Sequence, residues 1–277
     1  MINNELMKIG MSNYKHELMQ EKDSIYLFRV FDNNKSYILK YFSSDKYKKE
    51  INYYKILSSL GVQTLKVISN TDNSLLLEDI SCSNYRLCTE KDYCNDKYVS
   101  AIARWFRTLH DAGKDADLTM FDSFLSPLTL DNILYIKKEL AIENKAVNFF
   151  IQNYNYIMSV INSAQFTILH NDCGYNNSVI SKDSNNAFMF DYNYMVKGLA
   201  YFDVYNFCAN LNEEMKEYFL DEYGYVNPSE QKIHKTLDII LRLIEWYKIE
   251  GKSPEVIYCL GEFFSEDYYN KLIEIFS

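Results

Sequence analysis

Residues 167–192 read TILHNDCGYNNSVISKDSNNAFMFDY, and the rest of the chain is organised around them. An apolar triplet, Thr167-Ile168-Leu169, leads into the polar His170-Asn171-Asp172, and Asn177 follows Asp172 at the fifth position. Ser178-Val179-Ile180 is apolar again, residues 182–186 form a turn cluster, and residues 187–190 are a further apolar run that ends on Asp191. Two apolar runs joined by a polar turn predict a hairpin. Asp172 and Asn177 lie in the loop before it and Asp191 at its far end, so three oxygen-bearing side chains converge on one edge. Oxygen donors in small number, completed by water and phosphate, suit Mg²⁺.

This is a pattern of phosphoryl transfer. Protein kinases carry H-R-D-x-x-x-x-N, with the Asp facing the nucleophile's proton, the Asn on a metal, and a later Asp on Mg²⁺. Here the string is His170-Asn171-Asp172-x-x-x-x-Asn177, with Asp191 a hairpin later. It resembles the aminoglycoside phosphotransferase and choline kinase family, whose loop reads H-G-D-x-x-x-x-N and whose metal Asp lies in an I-D-[FWY] segment. Asn171 and Asn176 stand where that family often has Gly. Asn tolerates left-handed backbone best after Gly, so both substitutions fit. Taken alone, the motif is equally a polar loop in a chain rich in Asn and Asp; order and context decide.

The chain has 277 residues, 48% of them hydrophobic, which suits one large domain or two small lobes. Eight Gly and three Pro argue against a loop-rich or all-β fold. A net charge of −9 disfavours nonspecific binding of nucleic acid and leaves room for a cationic substrate. Residues 1–10 lack the apolar core of a signal peptide, and the most apolar run, residues 237–247, is interrupted by Asp238, Arg242 and Glu245. A cytoplasmic protein with no membrane partner is the expectation. The six cysteines contain no C-x-x-C and accompany only four His, which argues for reduced thiols rather than zinc. Cys173, next to Asp172, reads as a bystander.

Residues 1–79 form the first expected lobe, for nucleotide binding. A short helix at 4–10 precedes strands at 14–20, 25–31 and 36–42, then a helix at 45–60 and strands at 65–69 and 74–78. The helix shows apolar spacing at Tyr47, Ile51, Tyr54, Leu57 and Leu60, with Ser44 as N-cap and Gly61 as stop. Three strands, a helix and two strands is the order of the small lobe in kinase-like folds. The resemblance then implies that Lys40, inside YILKYF, grips the α- and β-phosphates and that Glu50 holds it. The plainer reading is a solvated pair, as for Lys48, Lys49 and Lys55. Residues 75–80, LLLEDI, resemble the family's L-L-x-E hinge, so the backbone at Glu78, Asp79 and Ile80 would meet the purine edge. The turn at 21–24 has no Gly, unlike the phosphate loop of protein kinases. Ser24 is the candidate phosphate contact, while Glu21 and Asp23 are acidic.

Residues 80–277 form the second expected lobe, with catalytic loop, metal site and acceptor pocket. Helices are predicted at 92–112, 130–139, 144–163, 204–211, 216–223 and 230–250, with residues 254–276 helical throughout. His110 reads as a packed or capping residue. Gly198 and Phe202-Asp203-Val204 match the segment that follows the family's metal Asp. The resemblance assigns Asp203, with His170, to support of the catalytic loop. Acceptor-pocket candidates are Asp221, Glu222, Glu245, Glu262, Glu266 and Asp267.

The expectation is an α+β, bilobal protein-kinase-like fold with a small antiparallel-sheet lobe and a larger helical lobe. The resemblance implies Mg²⁺-dependent transfer of the γ-phosphoryl of ATP or GTP to a small-molecule hydroxyl. Asp172 would accept the proton, Asn177 and Asp191 hold the metal, and Lys40 offset phosphate charge. Acceptors in such enzymes include aminoglycosides, choline or ethanolamine, homoserine and sugars. The alternative is a catalytically silent kinase-like module that binds a nucleotide or a protein. Oligomeric state is left open.

Overall fold

A computed structural model describes residues 2–32, 35–140, 144–249 and 254–276. Alternating, aromatic-rich segments near the start pair into one antiparallel sheet of β1 (Lys15–Lys22), β2 (Ile25–Phe31), β3 (Ser36–Phe42), β4 (Val67–Asn70) and β5 (Ser74–Glu78), in the order β1-β2-β3-β5-β4. Register decides its two faces. Leu27, Lys40 and Leu75 lie opposite one another, as do Arg29, Ile38 and Leu77, and share one face. Val30, Leu39 and Leu76 lie on the other, where Leu6 of α1 (Ile2–Lys8) packs against them. Burying Leu6 contributes roughly 1.5–3 kcal/mol. Buried Glu5 anchors the same helix, accepting from Ser74 Oγ at 3.1 Å, from Lys8 Nζ at 2.7 Å and from Thr71 Oγ1.

The expected turn at 21–24 is tighter than its sequence suggests. Glu21 and Lys22 are still paired, with Tyr26 and Ile25, so only Asp23 and Ser24 connect the strands. Both have positive φ, 52° and 65°, the signature of a type I′ hairpin turn. The helix expected at 45–60 divides into a 3₁₀ turn at Asp45–Tyr47, capped by Ser44, and α2 (Lys49–Ser59), which stops at Gly61 with φ 73°.

The remaining elements are β6 (Tyr85–Leu87), α3 (Asp96–Lys114), α4 (Leu130–Leu140), α5 (Lys145–Asn162), β7 (Thr167–Leu169), β8 (Ser178–Ser181), β9 (Ala187–Met189), β10 (Val196–Gly198), α6 (Tyr201–Cys208), α7 (Glu213–Tyr223), α8 (Pro228–Ile249), α9 (Pro254–Phe263) and α10 (Glu266–Phe276). The hairpin expected after Asn177 is β8 and β9, and β6 joins it in the order β6-β8-β9. Several boundaries differ from expectation. The last helical stretch is two helices, because Ser265 caps the second by accepting Tyr268 N–H at 3.1 Å. The helix expected from residue 92 starts at Asp96, after the cap Asn95. The helix expected from Val204 starts at Tyr201, so Asp203 sits in its first turn.

The chain forms two compact units. One comprises Met1–Ala116, His170–Met195 and Asp203–Gly224; the other comprises Asp117–Leu169, Val196–Phe202 and Tyr225–Ser277. In the first, Phe106, Phe207 and Phe219 join α3, α6 and α7, with ring centroids 5.0–6.2 Å apart. In the second, residues from α4, α5, α8, α9 and α10, including Ile136, Phe150, Leu237, Phe263 and Leu272, share one core. Among the described residues no helix is long and apolar enough to cross a membrane.

Candidate active site

Every singled-out residue of the nucleotide, metal and catalytic set lies in the first unit. Lys40 is an inner-face residue of β3 and is buried. Its Nζ donates to Asp191 Oδ1 at 2.5 Å and lies 2.6 Å from Glu50 Oε2, a charge contact without hydrogen-bond geometry. Glu50, in the first turn of α2, also accepts Tyr192 N–H at 3.2 Å. Burial lifts the Glu50 carboxyl to about 7, with Lys40 opposing and Asp191 reinforcing the rise. Burial pulls the Lys40 ammonium down, but Glu50 and Asp191 outweigh it and its pKa is raised.

The loop after β7 is held from beneath by Asp203. Its Oδ2 accepts His170 N–H at 2.7 Å and its Oδ1 accepts Asn171 N–H at 2.9 Å. His110 Nε2 reaches Oδ2 at 3.2 Å, while His110 Nδ1 faces Tyr223 Oη at 2.8 Å. Burial raises the Asp203 pKa, but these partners together hold it below the ordinary carboxylate value. Asn171 has φ 62°, the left-handed backbone expected where related loops carry Gly. His170 Nε2 lies 3.0 Å from the Phe190 carbonyl, which only accepts, and His170 Nδ1 accepts Asp172 N–H at 3.3 Å. These two partners assign His170 as the neutral Nε2–H tautomer.

Asp172 is half-buried, and its carboxylate takes no hydrogen bond from the described residues. Asn177 is buried; its Nδ2 donates to the Asp172 carbonyl at 3.2 Å, and its Oδ1 accepts from Asn176 Nδ2 at 3.0 Å. The Asn177 carbonyl accepts Phe190 N–H at 2.8 Å, tying the loop to the strand end that delivers Asp191. Asp191 itself has φ 65°. Cys173 is buried, and burial drives its thiol pKa well above the usual value, so it is an inert neighbour.

No protein-family model matches the sequence, and no curated protein matches it. Solved structures do match its fold. Choline kinase LicA from Streptococcus pneumoniae superposes over 97% of both chains with 16% identity and a TM-score of 0.61. A choline/ethanolamine kinase family protein from Mesorhizobium loti matches over 96% of this chain and 94% of its own, with 12% identity and a TM-score of 0.65. ADP-bound aminoglycoside phosphotransferase APH(2'')-Ib matches over 99% and 98%, with 18% identity and a TM-score of 0.65. The chain has the protein-kinase-like fold.

The side chains of Glu78 and Asp79, in the stretch 78–80 expected to be the hinge, are spent on the protein itself. Glu78 Oε1 accepts Lys66 N–H at 2.7 Å. Buried Asp79 caps the 3₁₀ turn Ile80–Cys82 through Ser81, and also accepts Arg29 Nε at 2.9 Å and the Ser36 hydroxyl. Any contact of this stretch with a purine falls to the backbone, including that of Ile80. Ser24 is tied down through its carbonyl, which accepts Ser43 N–H at 2.9 Å and Ser43 Oγ at 3.0 Å. Leu27 and Ile38, half-buried on the Lys40 face, were not singled out by sequence; only strand register reveals them.

The resemblance of the H-x-D-x-x-x-x-N loop implies a divalent metal, and the donors fit one. Asn177 Oδ1 and the Asp191 carboxylate are hard oxygens on facing segments. Among the described residues no group of three or more His, Cys, Asp or Glu could hold a metal. Two protein oxygens completed by phosphate and water are what Mg²⁺ accepts. Of the acidic residues nominated for an acceptor pocket, three are ion-paired: Glu222 with Arg104 at 3.1 Å, Glu266 with Lys145 at 2.7 Å and Asp267 with Lys271 at 2.5 Å. His110 is the support residue that sequence missed. Its partner Asp203 lies 93 positions away, and no local signal links them.

Proposed function

We propose that this chain is a Mg²⁺-dependent kinase of small molecules, moving the γ-phosphoryl of ATP or GTP to an acceptor hydroxyl. The observation that carries this reading is Lys40 in contact with both Glu50 and Asp191, beside a loop that Asp203 holds in place. Asp172 orients the acceptor hydroxyl and takes its proton as the oxygen attacks phosphorus. Lys40 offsets charge on the phosphate oxygens. Asn177 and Asp191 would hold Mg²⁺, which when bound neutralises the β- and γ-phosphates. Glu50 keeps Lys40 extended from β3. Rate comes from positioning and from charges fixed in advance. The nucleotide side is assigned to residues 1–79 with Ser24 over the phosphates, and the catalytic loop, metal site and acceptor pocket to residues 80–277. A net charge of −9 supports an amine-bearing acceptor such as choline, ethanolamine or an aminoglycoside.

One observation favours a second reading, a silent nucleotide-binding module: the turn Asp23-Ser24, expected to cover the phosphates, has no Gly and carries a carboxylate. One assay separates the two. The protein is given Mg²⁺ with ATP or GTP and a panel of alcohols: choline, ethanolamine, homoserine, aminoglycosides and sugars. Turnover with one class is expected, reduced roughly 10²–10⁴-fold in Asp172→Ala. Nucleotide binding without turnover on any acceptor overturns the kinase reading in favour of the module.

A further inference from the structure

Asn193 was singled out by no motif, yet its side chain lies directly on Asp191. Its Nδ2 donates to Asp191 Oδ1 at 2.6 Å. The same oxygen receives Lys40 Nζ at 2.5 Å, so Oδ1 is doubly engaged. The Asn193 amide has one sensible orientation, because the reverse would set its carbonyl oxygen against a carboxylate. Its Oδ1 therefore points away from Asp191. That oxygen is buried and has no hydrogen-bond partner among the described residues. Buried acceptors without partners are rare and lower stability, so each calls for a reason. A side chain that merely closed the Tyr192–Tyr194 turn would use this oxygen on a backbone N–H, as Asn and Asp do in turns. Here the oxygen is spared, and the nitrogen is the working end.

We infer that Asn193 is a positioning residue of the metal site, fixing through its Nδ2 which oxygen of Asp191 faces the metal. The inference rests on the kinase reading and adds a residue to it. Asp191 is the residue most in need of such a brace, since it holds a left-handed φ of 65° without being Gly. Lys40 cannot serve alone, because phosphate competes for its ammonium. Asn193 is neutral and is not itself drawn to phosphate, so it keeps Asp191 Oδ1 occupied and leaves Oδ2 to the metal.

The test compares wild type with Asn193→Ala in two measurements: melting temperature without metal or nucleotide, and calorimetric affinity for ADP with and without Mg²⁺. Asn193→Ala is expected to melt at or above the wild-type temperature, since it loses an unpartnered buried oxygen. It should bind metal-free ADP as wild type does and Mg²⁺-ADP roughly 10–100-fold more weakly, the usual effect of losing a group that orients a metal ligand. Unchanged Mg²⁺-ADP affinity overturns the inference. So does a lower melting temperature with metal-free and metal-bound affinities falling together, which would mark a purely structural residue. Should the alanine variant fail to fold, Asn193→Asp serves. It sets two carboxylates together, and Mg²⁺ alone should raise its melting temperature more than it raises that of wild type. An equal or smaller rise overturns the inference. Wild type that binds no Mg²⁺-ADP removes the kinase reading itself, an outcome distinct from wild-type binding with an indifferent variant.

Discussion

Lys40 Nζ lies 2.5 Å from Asp191 Oδ1, joining two residues 151 positions apart, while Glu50 approaches the same ammonium from α2. One buried cation thus faces two carboxylates. Removing it in Lys40→Met leaves those carboxylates adjacent, and roughly 3–5 kcal/mol of stability should be lost. Adding Glu50→Gln removes the stranded buried charge, so the double variant should recover part of that loss. Urea denaturation of the four-member cycle measures this; additive single effects would contradict the coupling.

Stability should depend on pH through Glu50. Its carboxyl is lifted from 4.5 to about 7 by burial against the pull of Lys40. A pKa raised by folding stabilises fully below the unfolded value, and that contribution is lost as pH rises through the folded value. Relative to Glu50→Gln, wild type should therefore lose stability progressively between pH 4.5 and about 7. His234 acts in the opposite direction. Burial lowers it from 6.5 to about 4, so its contribution is present above 6.5 and lost as pH falls towards 4. The difference between wild type and Glu50→Gln isolates Glu50 from this trend, and a difference flat with pH would contradict the prediction.

Asp203→Asn should damage the loop more than its conservative appearance suggests. The carboxylate accepts both His170 N–H and Asn171 N–H, one on each oxygen. An amide has one acceptor oxygen and would turn its NH₂ towards the second donor. Stability should fall by about 3 kcal/mol, with a parallel drop in turnover as Asp172 loses its fixed backbone. Thermal melts and steady-state kinetics together check this; wild-type turnover in a folded variant would detach Asp203 from the loop's function.

Ser24→Gly separates two roles of the hairpin tip. At φ 65° a non-Gly residue is disfavoured, so Gly should raise stability by about 0.5–1 kcal/mol after its greater chain entropy is offset. If the Ser24 hydroxyl also contacts phosphate, the same variant should weaken ATP binding. A more stable variant with unchanged affinity would remove Ser24 from the nucleotide contacts and leave the turn's backbone in its place.

Local chemistry in the sequence determined much of this protein. Apolar and aromatic runs bounded by polar turns marked β2, β3 and β5 to the residue, and Gly61 ends its helix left-handed because no side chain opposes it. Asn171 adopts the left-handed conformation at the position where its tolerance for it had been weighed. These depend on neighbours a few residues away, which a sequence displays. Tertiary structure alone decided the rest. β6 and β10 are three residues each, too short to show a period, and form because β8 and β7 offer them partners. The turn at Asp23-Ser24 was shortened by pairing that continued through Lys22. His110 on Asp203, Lys40 on Asp191 and the orientation of the Asn193 amide all follow from contacts whose free energy belongs to two segments at once. The H-x-D-x-x-x-x-N string names the groups, but burial and long-range hydrogen bonds set how each is held.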